Sequence, residues 1–203
     1  MNKQLFSLFL LIILACTGCR KGEEDPVISL RTREMRLKNT WDLISSESTV
    51  SEEYGLSATN KVITAQYDGE KEIISENAGG IYTYDTLWYT KEYIFRKGKS
   101  YTMKYIQTDP AVPLFRYEMN EKGRWEFLSR SKSRDVKNKE QLLLIPELQQ
   151  DDMQDAAIDF PHITWNIVRL ANNELVIEIR KEISNTLSGY SYNEVTMMNF
   201  EGR

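Results

Sequence analysis

Short stretches of alternating apolar and polar residues recur along most of this 203-residue chain, separated by turn residues. The clearest pair is His162–Leu170 and Glu174–Lys181, which are separated by Asn172-Asn173. Alternation with a period of two predicts a half-buried β-strand. Asparagine tolerates the positive φ that a tight hairpin turn requires. The pattern therefore predicts a β-hairpin here.

The same pattern predicts β-structure over most of the chain after residue 39. The other predicted strands are Thr40–Ser48, Val62–Tyr67, Glu72–Ser75, Leu87–Arg96, Ser100–Gln107, Leu114–Asn120, Arg124–Arg130, Lys139–Ile145 and Tyr190–Phe200. Hairpin turns are predicted at Asp68-Gly69, Lys97-Gly98-Lys99 and Glu121-Lys122-Gly123. About eight to ten strands with short local links favour a single antiparallel up-and-down β-barrel, because closure removes exposed strand edges.

Two segments depart from the β pattern. Residues 29–38 place Leu30, Arg33, Glu34 and Leu37 at helical spacing, which predicts a short helical turn before the first strand. Residues 147–157 have high helix propensity and acidic residues at their start, and we expect a loop or one short helix that covers a barrel end.

The N-terminus has the features of an export signal. Lys3 precedes Leu5–Ala15, an eleven-residue mostly aliphatic stretch. At about 1.5 Å per residue, a helix of this length spans about half of a ~30 Å hydrocarbon core. Small residues and then cysteine follow, which resembles a bacterial lipoprotein box, where the thiol is acylated. Both Cys16 and Cys19 fit this position; the alternative is an ordinary secretory signal with incidental cysteines.

The run that starts at Cys19, C-R-K-G-E-E-D-P, resembles the beginning of small lipoproteins of the Bacteroidota. In those proteins the lipidated cysteine directly precedes a basic pair and an acidic cluster, so the resemblance favours Cys19 over Cys16. It implies a covalent lipid anchor in the outer membrane. The acidic run resembles a surface-export signal, and the alternative is a solvated tether. We therefore expect a signal peptide at 1–18, a tether and helical turn at 19–36, and a barrel at 37–203.

A second resemblance concerns the fold. The run Leu37-Lys38-Asn39-Thr40-Trp41 after a helical turn resembles the L-x-G-x-W signature of lipocalins, in which the tryptophan closes the barrel floor. Asn39 occupies the glycine position and can take the same left-handed backbone. With G-x-W-x-F at 123–127 and W-x-I-x-x-L at 165–170, most of residues 19–203 resembles the lipocalin-like lipoproteins of the Bacteroidota. That resemblance implies an eight-stranded barrel and no assigned ligand.

Charge and composition argue against several functions. The chain has 26 basic and 30 acidic residues, a net charge of −4, which disfavours a dedicated nucleic-acid binder. One histidine and two cysteines leave little material for metal or thiol chemistry. His162 near Asp159 lacks a nucleophile motif, and Asp151, Asp152 and Asp155 match no calcium loop. We predict no catalytic residue, no metal site, no cofactor and no enzymatic activity.

The aromatic residues are more informative, with 11 Tyr, 7 Phe and 4 Trp. Inward-facing candidates on neighbouring predicted strands are Tyr101, Met103, Tyr105, Phe115, Tyr117, Met119, Trp125 and Phe127. A barrel of about eight strands either fills with side chains or holds one small ligand. Two hypotheses follow: a lipid-anchored module that binds a small apolar or amphipathic ligand, or a non-enzymatic accessory subunit with a protein partner in the cell envelope.

Overall fold

The structure, a computed structural model, describes residues 32–54, 60–128, 140–151, 155–156, 162–185 and 190–203. Within these ranges it contains one short helix and eleven strands. They are α1 Arg33–Leu37, β1 Thr40–Glu53, β2 Lys61–Tyr67, β3 Lys71–Ala78, β4 Ile81–Phe95, β5 Ser100–Thr108, β6 Arg116–Phe127, β7 Gln141–Asp151, β8 Asp155–Ala156, β9 Ile163–Leu170, β10 Glu174–Asn185 and β11 Tyr190–Gly202. Cys16, Cys19, the expected tether at 20–29 and the first residues of the expected helical turn lie outside the described residues.

The strands form a closed antiparallel ring. Each of β1 to β6 pairs with the next strand, and β7 pairs with β9. β9 then pairs with β10, β10 with β11, and β11 with β1, while the two-residue β8 pairs only with β7. The pairing of Phe127 with Leu142 joins β6 to β7, and that of Trp41 with Gly202 joins β1 to β11. The predicted all-β up-and-down barrel is therefore confirmed.

The ring has different widths at its two ends. At one end, which we call the floor, Thr40–Asp42 of β1 pairs directly with Glu92–Ile94 of β4, so eight of the described strands form the ring. Further along, the β2–β3 hairpin is inserted between β1 and β4, and the ring has ten of the described strands. The hairpin turn sits in the fork, where the Tyr89 backbone N–H donates to the Glu70 carbonyl at 3.0 Å. We call the wider end the mouth.

Helix α1 covers the floor. The Thr32 hydroxyl caps the helix by accepting a hydrogen bond from the Met35 N–H at 3.2 Å. The indole N–H of Trp41 donates to the Leu37 carbonyl at 2.9 Å, and both side chains are fully buried. Trp41 thus lies where the lipocalin resemblance places it.

Large aromatic side chains fill the space above α1. Tyr93 and Trp165 meet edge to face with ring centroids 4.8 Å apart, and Trp165 stacks on Phe200 at 5.8 Å. Such pairs stabilise a core by about 0.5–1.5 kcal/mol each beyond the area they bury. The buried residues of this part are Leu37, Trp41, Leu43, Tyr93, Phe95, Tyr101, Met103, Trp125, Leu142, Leu144, Trp165 and Phe200. The floor half of the barrel is therefore a packed core.

The predicted turn at Glu121-Lys122-Gly123 is wrong, because β6 runs without interruption from Arg116 to Phe127. The strand instead carries a register shift against β7 between Lys122 and Gly123. A Cβ at Gly123 would lie 2.3 Å from the Ile145 carbonyl oxygen. The glycine is thus needed for close approach of two strands, not for a turn.

The expectation of a loop or helix for residues 147–157 is also wrong for the part of that segment that the structure describes, residues 147–151 and 155–156. Residues 147–151 belong to β7 and continue its pairing with β6, for example between Gln149 and Glu121. Residues 155–156 form β8, and the rest of that segment lies outside the described ranges. Closing the ring therefore overrides the local helix propensity.

The expected left-handed asparagines do not occur. Among the described non-glycine residues only Lys99, in a predicted hairpin turn, has a positive φ, 62°. The Asn39 carbonyl instead accepts the Phe95 N–H at 3.0 Å, which keeps the backbone in the β ladder. The β9–β10 hairpin is confirmed, with the Ala171 N–H donating to the Glu174 carbonyl at 2.8 Å, but its two asparagines do not use positive φ.

Candidate functional site

Above the packed floor lies a cavity of about 300 Å³ inside the barrel. Its wall comes from inward-facing side chains of five adjacent or near-adjacent strands, β1 to β5, together with β11. They are Leu43, Ser46, Ser48, Ala65, Glu72, Leu87, Tyr89, Lys91, Tyr105, Glu194, Thr196 and Met198. This volume is at the lower end of the range found for small-molecule sites.

The strand register explains why these residues meet. Ser48 pairs with both Thr196 of β11 and Ala65 of β2. Directly paired residues project to the same face of a sheet, and successive residues alternate between faces. The Ser48 and Thr196 hydroxyls are hydrogen bonded at 2.9 Å. One row of the cavity wall is therefore set by the pairing alone.

Part of the cavity wall is apolar. Leu43 rises from the floor, and Ala65, Leu87 and Met198 line the wall above it. The small side chain of Ala65 leaves space that a larger residue would occupy, and the unbranched thioether of Met198 adapts to the shape of a guest. An aliphatic or aromatic group can bury its surface here.

Charged and hydroxyl groups lie directly beside these residues, because Glu72 pairs with Leu87, and Tyr89 and Lys91 follow Leu87 on the same face of β4. Burial raises the pKa of the Glu72 carboxyl, and this shift is opposed by a hydrogen bond from the Tyr89 hydroxyl and by the positive charge of Lys91. The Lys91 ammonium lies 5.5 Å from the ring centroid of Tyr93, within cation–π range. An acid, a base and a phenol thus face the same small space.

Three tyrosines form a ladder along this part of the wall. The rings of Tyr67 and Tyr89 stack at 4.5 Å, and Tyr105 tilts against Tyr89 at 5.1 Å. The Tyr67 hydroxyl donates to the Tyr89 carbonyl at 2.8 Å. Burial raises the pKa of Tyr67 to about 12 and raises those of Tyr89 and Tyr105 as well. All three phenols therefore stay protonated at neutral pH.

The structure distributes the sequence candidates over several environments. Tyr105 lines the cavity. Tyr101, Met103 and Trp125 are buried in the floor core, where the Tyr101 hydroxyl donates to a Glu121 carboxylate oxygen at 2.6 Å. These three residues support the cavity from below.

The remaining candidates lie along β6 or just before it. Met119 and Phe127 are partly buried against the core, and Tyr117 is half-buried with its ring 6.3 Å from that of Tyr105. Phe115 precedes β6 and is 41% exposed. None of these four residues lines the 300 Å³ cavity.

Sequence reasoning missed the polar part of the cavity wall. In the predicted strand Leu87–Arg96, the alternation Tyr89-x-Lys91-x-Tyr93 is in phase with the buried Phe95, and this signal could have placed Lys91 inside. Glu72 and Glu194 give no such signal, because charged residues at alternate positions usually mark a solvent-facing side. Only the register assigns them to the interior.

A larger hollow of about 670 Å³ lies on the outer wall at the fork between β1 and β4. The Arg203 guanidinium bridges Asp42 and Glu92 across it, with 2.6 Å to the Glu92 carboxylate. Leu43 and Lys91 line this hollow and the interior cavity. Its other walls are mainly charged and open to solvent, so we regard the interior cavity as the candidate site.

Two further searches covered the same described ranges. No group of three or more His, Cys, Asp or Glu side chains there is arranged to hold a metal ion. No helix among those residues combines the length and the apolar character that crossing a membrane requires.

Fold and site together define a class: a closed, lipocalin-like antiparallel β-barrel with a helix-covered floor and an interior cavity of mixed polarity. Compared with models of protein families, with curated proteins and with solved structures, the chain matches none of them.

Proposed function

We propose that this protein is a lipocalin-like binding module that holds one small amphipathic molecule inside its barrel. The observation that carries the proposal is the cavity, which is apolar along Ala65, Leu87 and Met198 and polar along Tyr89 and Lys91. A small molecule that carries both apolar surface and one polar group matches this mixed lining.

The pose follows from the position of the groups. The apolar part of the ligand packs between the aliphatic residues and the tyrosine ladder, where each Å² removed from water contributes about 25 cal/mol. The polar end reaches the Lys91 ammonium, which lines the cavity beside the hydrogen-bonded pair Tyr89 and Glu72. We expect Lys91→Met to weaken the binding of a ligand whose polar end is a carboxylate more than that of a ligand whose polar end is a neutral hydroxyl.

The proposed activity is binding without catalysis. Tyr67, Tyr89 and Tyr105 have raised pKa values, which makes their phenols poor bases and poor nucleophiles at neutral pH. Their hydroxyls instead hold the wall in place, since Tyr67 donates to the Tyr89 carbonyl, Tyr89 to the Glu72 carboxyl and Tyr105 to the Gln107 side-chain oxygen.

The binding test uses residues 20–203, which retain α1 and every described strand. The titrant is 11-(dansylamino)undecanoic acid, whose aliphatic chain and carboxylate are small enough for the cavity. Its bulky dansyl group stays at the mouth, where its emission reports the less polar surroundings of a bound probe. We expect saturable 1:1 binding that unlabelled decanoate displaces. Emission that rises linearly with no displacement would contradict the proposal.

We further propose that the barrel is anchored by lipid to the outer membrane through Cys19, in agreement with the short apolar stretch and the charged run that follows. Helix α1 lies at the floor, so the chain that precedes it joins the barrel at the end opposite the mouth. Such an anchor leaves the mouth accessible.

The anchor has its own test. We expect Cys19→Ser to accumulate an uncleaved or mislocalised chain, and Cys16→Ser to give a normal lipidated product, as measured by palmitate labelling and membrane fractionation. The opposite pattern would move the anchor to Cys16. Normal processing of both variants would return the segment to a plain secretory signal.

A second candidate function is that of an accessory subunit with a protein partner in the envelope. It is favoured by the β5–β6 loop, where Leu114 is 97% exposed and Val112 is 51% exposed. Crosslinking in native membranes tests it, because a stoichiometric partner that is lost with Leu114→Ser would favour this function over ligand storage.

A further inference from the structure

The outside of the barrel near the mouth has a sheet face that is almost free of charge. The face takes three outward side chains from each of five adjacent strands, namely alternate residues over 193–197, 47–51, 62–66, 73–77 and 82–86. We call it the uncharged face. It is distinct from the interior cavity, because successive residues of a strand point to opposite sides of the wall.

Fourteen of these fifteen side chains are uncharged, and the exception is Glu47 at the lower corner. Since 28% of the chain is charged, about four charged residues would be expected among fifteen positions. The side chains present are mainly hydroxyls and amides, and Thr64 and Ser75 form a hydrogen bond across two strands at 3.2 Å. The face is polar without being ionic.

Two tyrosines project from one side of the uncharged face. Tyr82 is 59% exposed and Tyr84 is 73% exposed. They are successive outward residues of β4, so their side chains stand about 6.7 Å apart along the strand. Ile73, 47% exposed, adds apolar surface on the neighbouring strand β3, and Val62, 39% exposed, lies one strand further on β2. Exposed large side chains thus cluster within a few ångströms of hydroxyl and amide groups.

A hollow of about 360 Å³ adjoins the lower edge of the uncharged face. Gln66, Ile73 and Met197 contribute to its wall, as do Ser45, Asn199 and the acidic side chains of Glu47 and Asp68. The Asn199 side-chain N–H donates to the Ser45 hydroxyl at 3.0 Å, which holds both groups at the surface. The hollow thus offers polar donors and acceptors beside apolar side chains.

From this combination we propose that the uncharged face and its hollow form a binding surface for a neutral glycan chain. The face of a tyrosine ring carries partial negative charge and attracts the polarised C–H groups of a sugar ring. Hydroxyl and amide side chains both donate and accept hydrogen bonds, as sugar hydroxyls do. The face carries one charged side chain among fifteen, which is complementary to a partner without charge, and the Glu47 and Asp68 carboxylates of the hollow can accept hydrogen bonds from sugar hydroxyls.

The area of the face argues against a second copy of the chain or another protein as its partner. Strands about 4.8 Å apart, with outward side chains about 6.7 Å apart, give the face an area of about 400 Å². A stable protein interface buries about 800 Å² on each partner. The area of the face is therefore about half of the area that a stable dimer buries on each partner. An extended sugar chain needs only a narrow strip of surface along β4 and the hollow.

The test uses the full chain purified in lauryldimethylamine oxide, a detergent without a sugar headgroup. Probes are immobilised malto-, cello-, laminari-, manno- and xylohexaose, with hexagalacturonate as the charged counterpart. We expect at least one neutral hexasaccharide to bind and to be preferred over hexagalacturonate. Absence of binding to every neutral probe, or preference for the charged probe, would overturn the proposal.

Variants locate the binding surface. Tyr84→Ala and Tyr82→Ala should each weaken binding at least tenfold, and Tyr84→Phe should keep it within threefold because the ring remains. The matched control is Tyr54→Ala, which removes a 40% exposed tyrosine outside the face and should leave binding unchanged. Circular dichroism confirms that each variant is folded. Binding that survives both alanine changes, or a dimer or protein complex that those changes dissolve, would contradict a glycan surface.

Discussion

At the scale of single residues, Trp41 links three parts of the floor. Its indole N–H holds the last residue of α1, its backbone pairs β1 with both β4 and β11, and its ring is fully buried. A Cβ added at Gly202 would lie 3.0 Å from the Trp41 ring, so the ring is in close contact with the end of β11. Little space remains for relaxation around it.

We expect Trp41→Ala to lower the free energy of unfolding by about 3–5 kcal/mol, because a large cavity would remain in a packed core. The control is Trp88→Ala, which removes a half-exposed ring from the outer wall and should cost less than half as much. Urea denaturation of both variants measures the difference. A Trp41→Ala cost below about 1 kcal/mol would mean that α1 and the ring do not seal the floor.

Glu72 provides a residue-scale test through pH. Burial raises its folded-state pKa above the ordinary 4.5, so the folded protein binds this proton more tightly than the unfolded chain. Proton binding by Glu72 therefore stabilises the folded protein. This stabilisation is fully present below pH 4.5 and is lost as the pH rises through the folded-state pKa. We expect Glu72→Gln to be more stable than the wild type at pH 7 and to lose that advantage at pH 4.

Glu118 gives a control of opposite sign. Hydrogen bonds from Lys104, Asn120 and Arg116 lower its pKa, so its contribution is present at neutral pH and is lost on acidification. Glu118→Gln should therefore be less stable than the wild type at pH 7, with a difference that shrinks in acid. The urea concentrations at the midpoint of unfolding, measured at pH 7 and at pH 4, test both predictions. Destabilisation by Glu72→Gln at pH 7 would show that Lys91 compensates the buried carboxylate.

At the scale of elements, β6 shows how a long strand is accommodated in a closed wall. Gly123 lies opposite Pro146 at the register shift, and a Cβ there would also meet the Tyr101 ring at 2.7 Å. The missing side chain lets β7 approach and keeps Tyr101 in the floor core. Closure of the ring between β6 and β7 depends on this contact.

We expect Gly123→Ala to destabilise the protein by about 3 kcal/mol, since backbone as well as side-chain atoms must shift. Gly80→Asn is the control. Gly80 has a φ of 86° and open space around it, and asparagine tolerates the left-handed region. Gly80→Asn should lower the free energy of unfolding by less than about 1 kcal/mol. Thermal unfolding measures both, and equal losses would mean that Gly123 serves only as a flexible position.

The positions of most strands could be predicted from the sequence, but the register shift within β6 could not. Alternation located β2, β5 and β9 to within a residue or two, because one face of each is buried and the other is exposed. Alternation cannot tell a glycine in a turn from a glycine at a crowded strand contact, which is why β6 was divided in two. Of the cavity wall, only Tyr105 is among the sequence candidates: the alternation of Tyr89, Lys91 and Tyr93 could have placed Lys91 inside, whereas Glu72 is assigned to the interior by register alone.

At the scale of the whole molecule, the inserted β2–β3 hairpin divides the barrel into two functional halves. Where β1 and β4 pair directly, the narrow ring is filled by aromatic side chains. Where the hairpin widens the ring, side chains no longer reach across, and the cavity appears at that level. The same hairpin carries the centre of the uncharged face on its outer side, so both proposed surfaces arise from one insertion.

The measurement that tests the account most directly compares two neighbouring residues of β2 that face opposite sides of the wall. Ala65 lines the cavity, and Thr64 is exposed on the outside. In the protein that comprises residues 20–203, the substitution Ala65→Trp should weaken the binding of 11-(dansylamino)undecanoic acid at least tenfold, because the indole fills the cavity. Thr64→Trp should leave the affinity within twofold of the wild type. Equal affinities for the two variants would contradict a ligand inside the barrel.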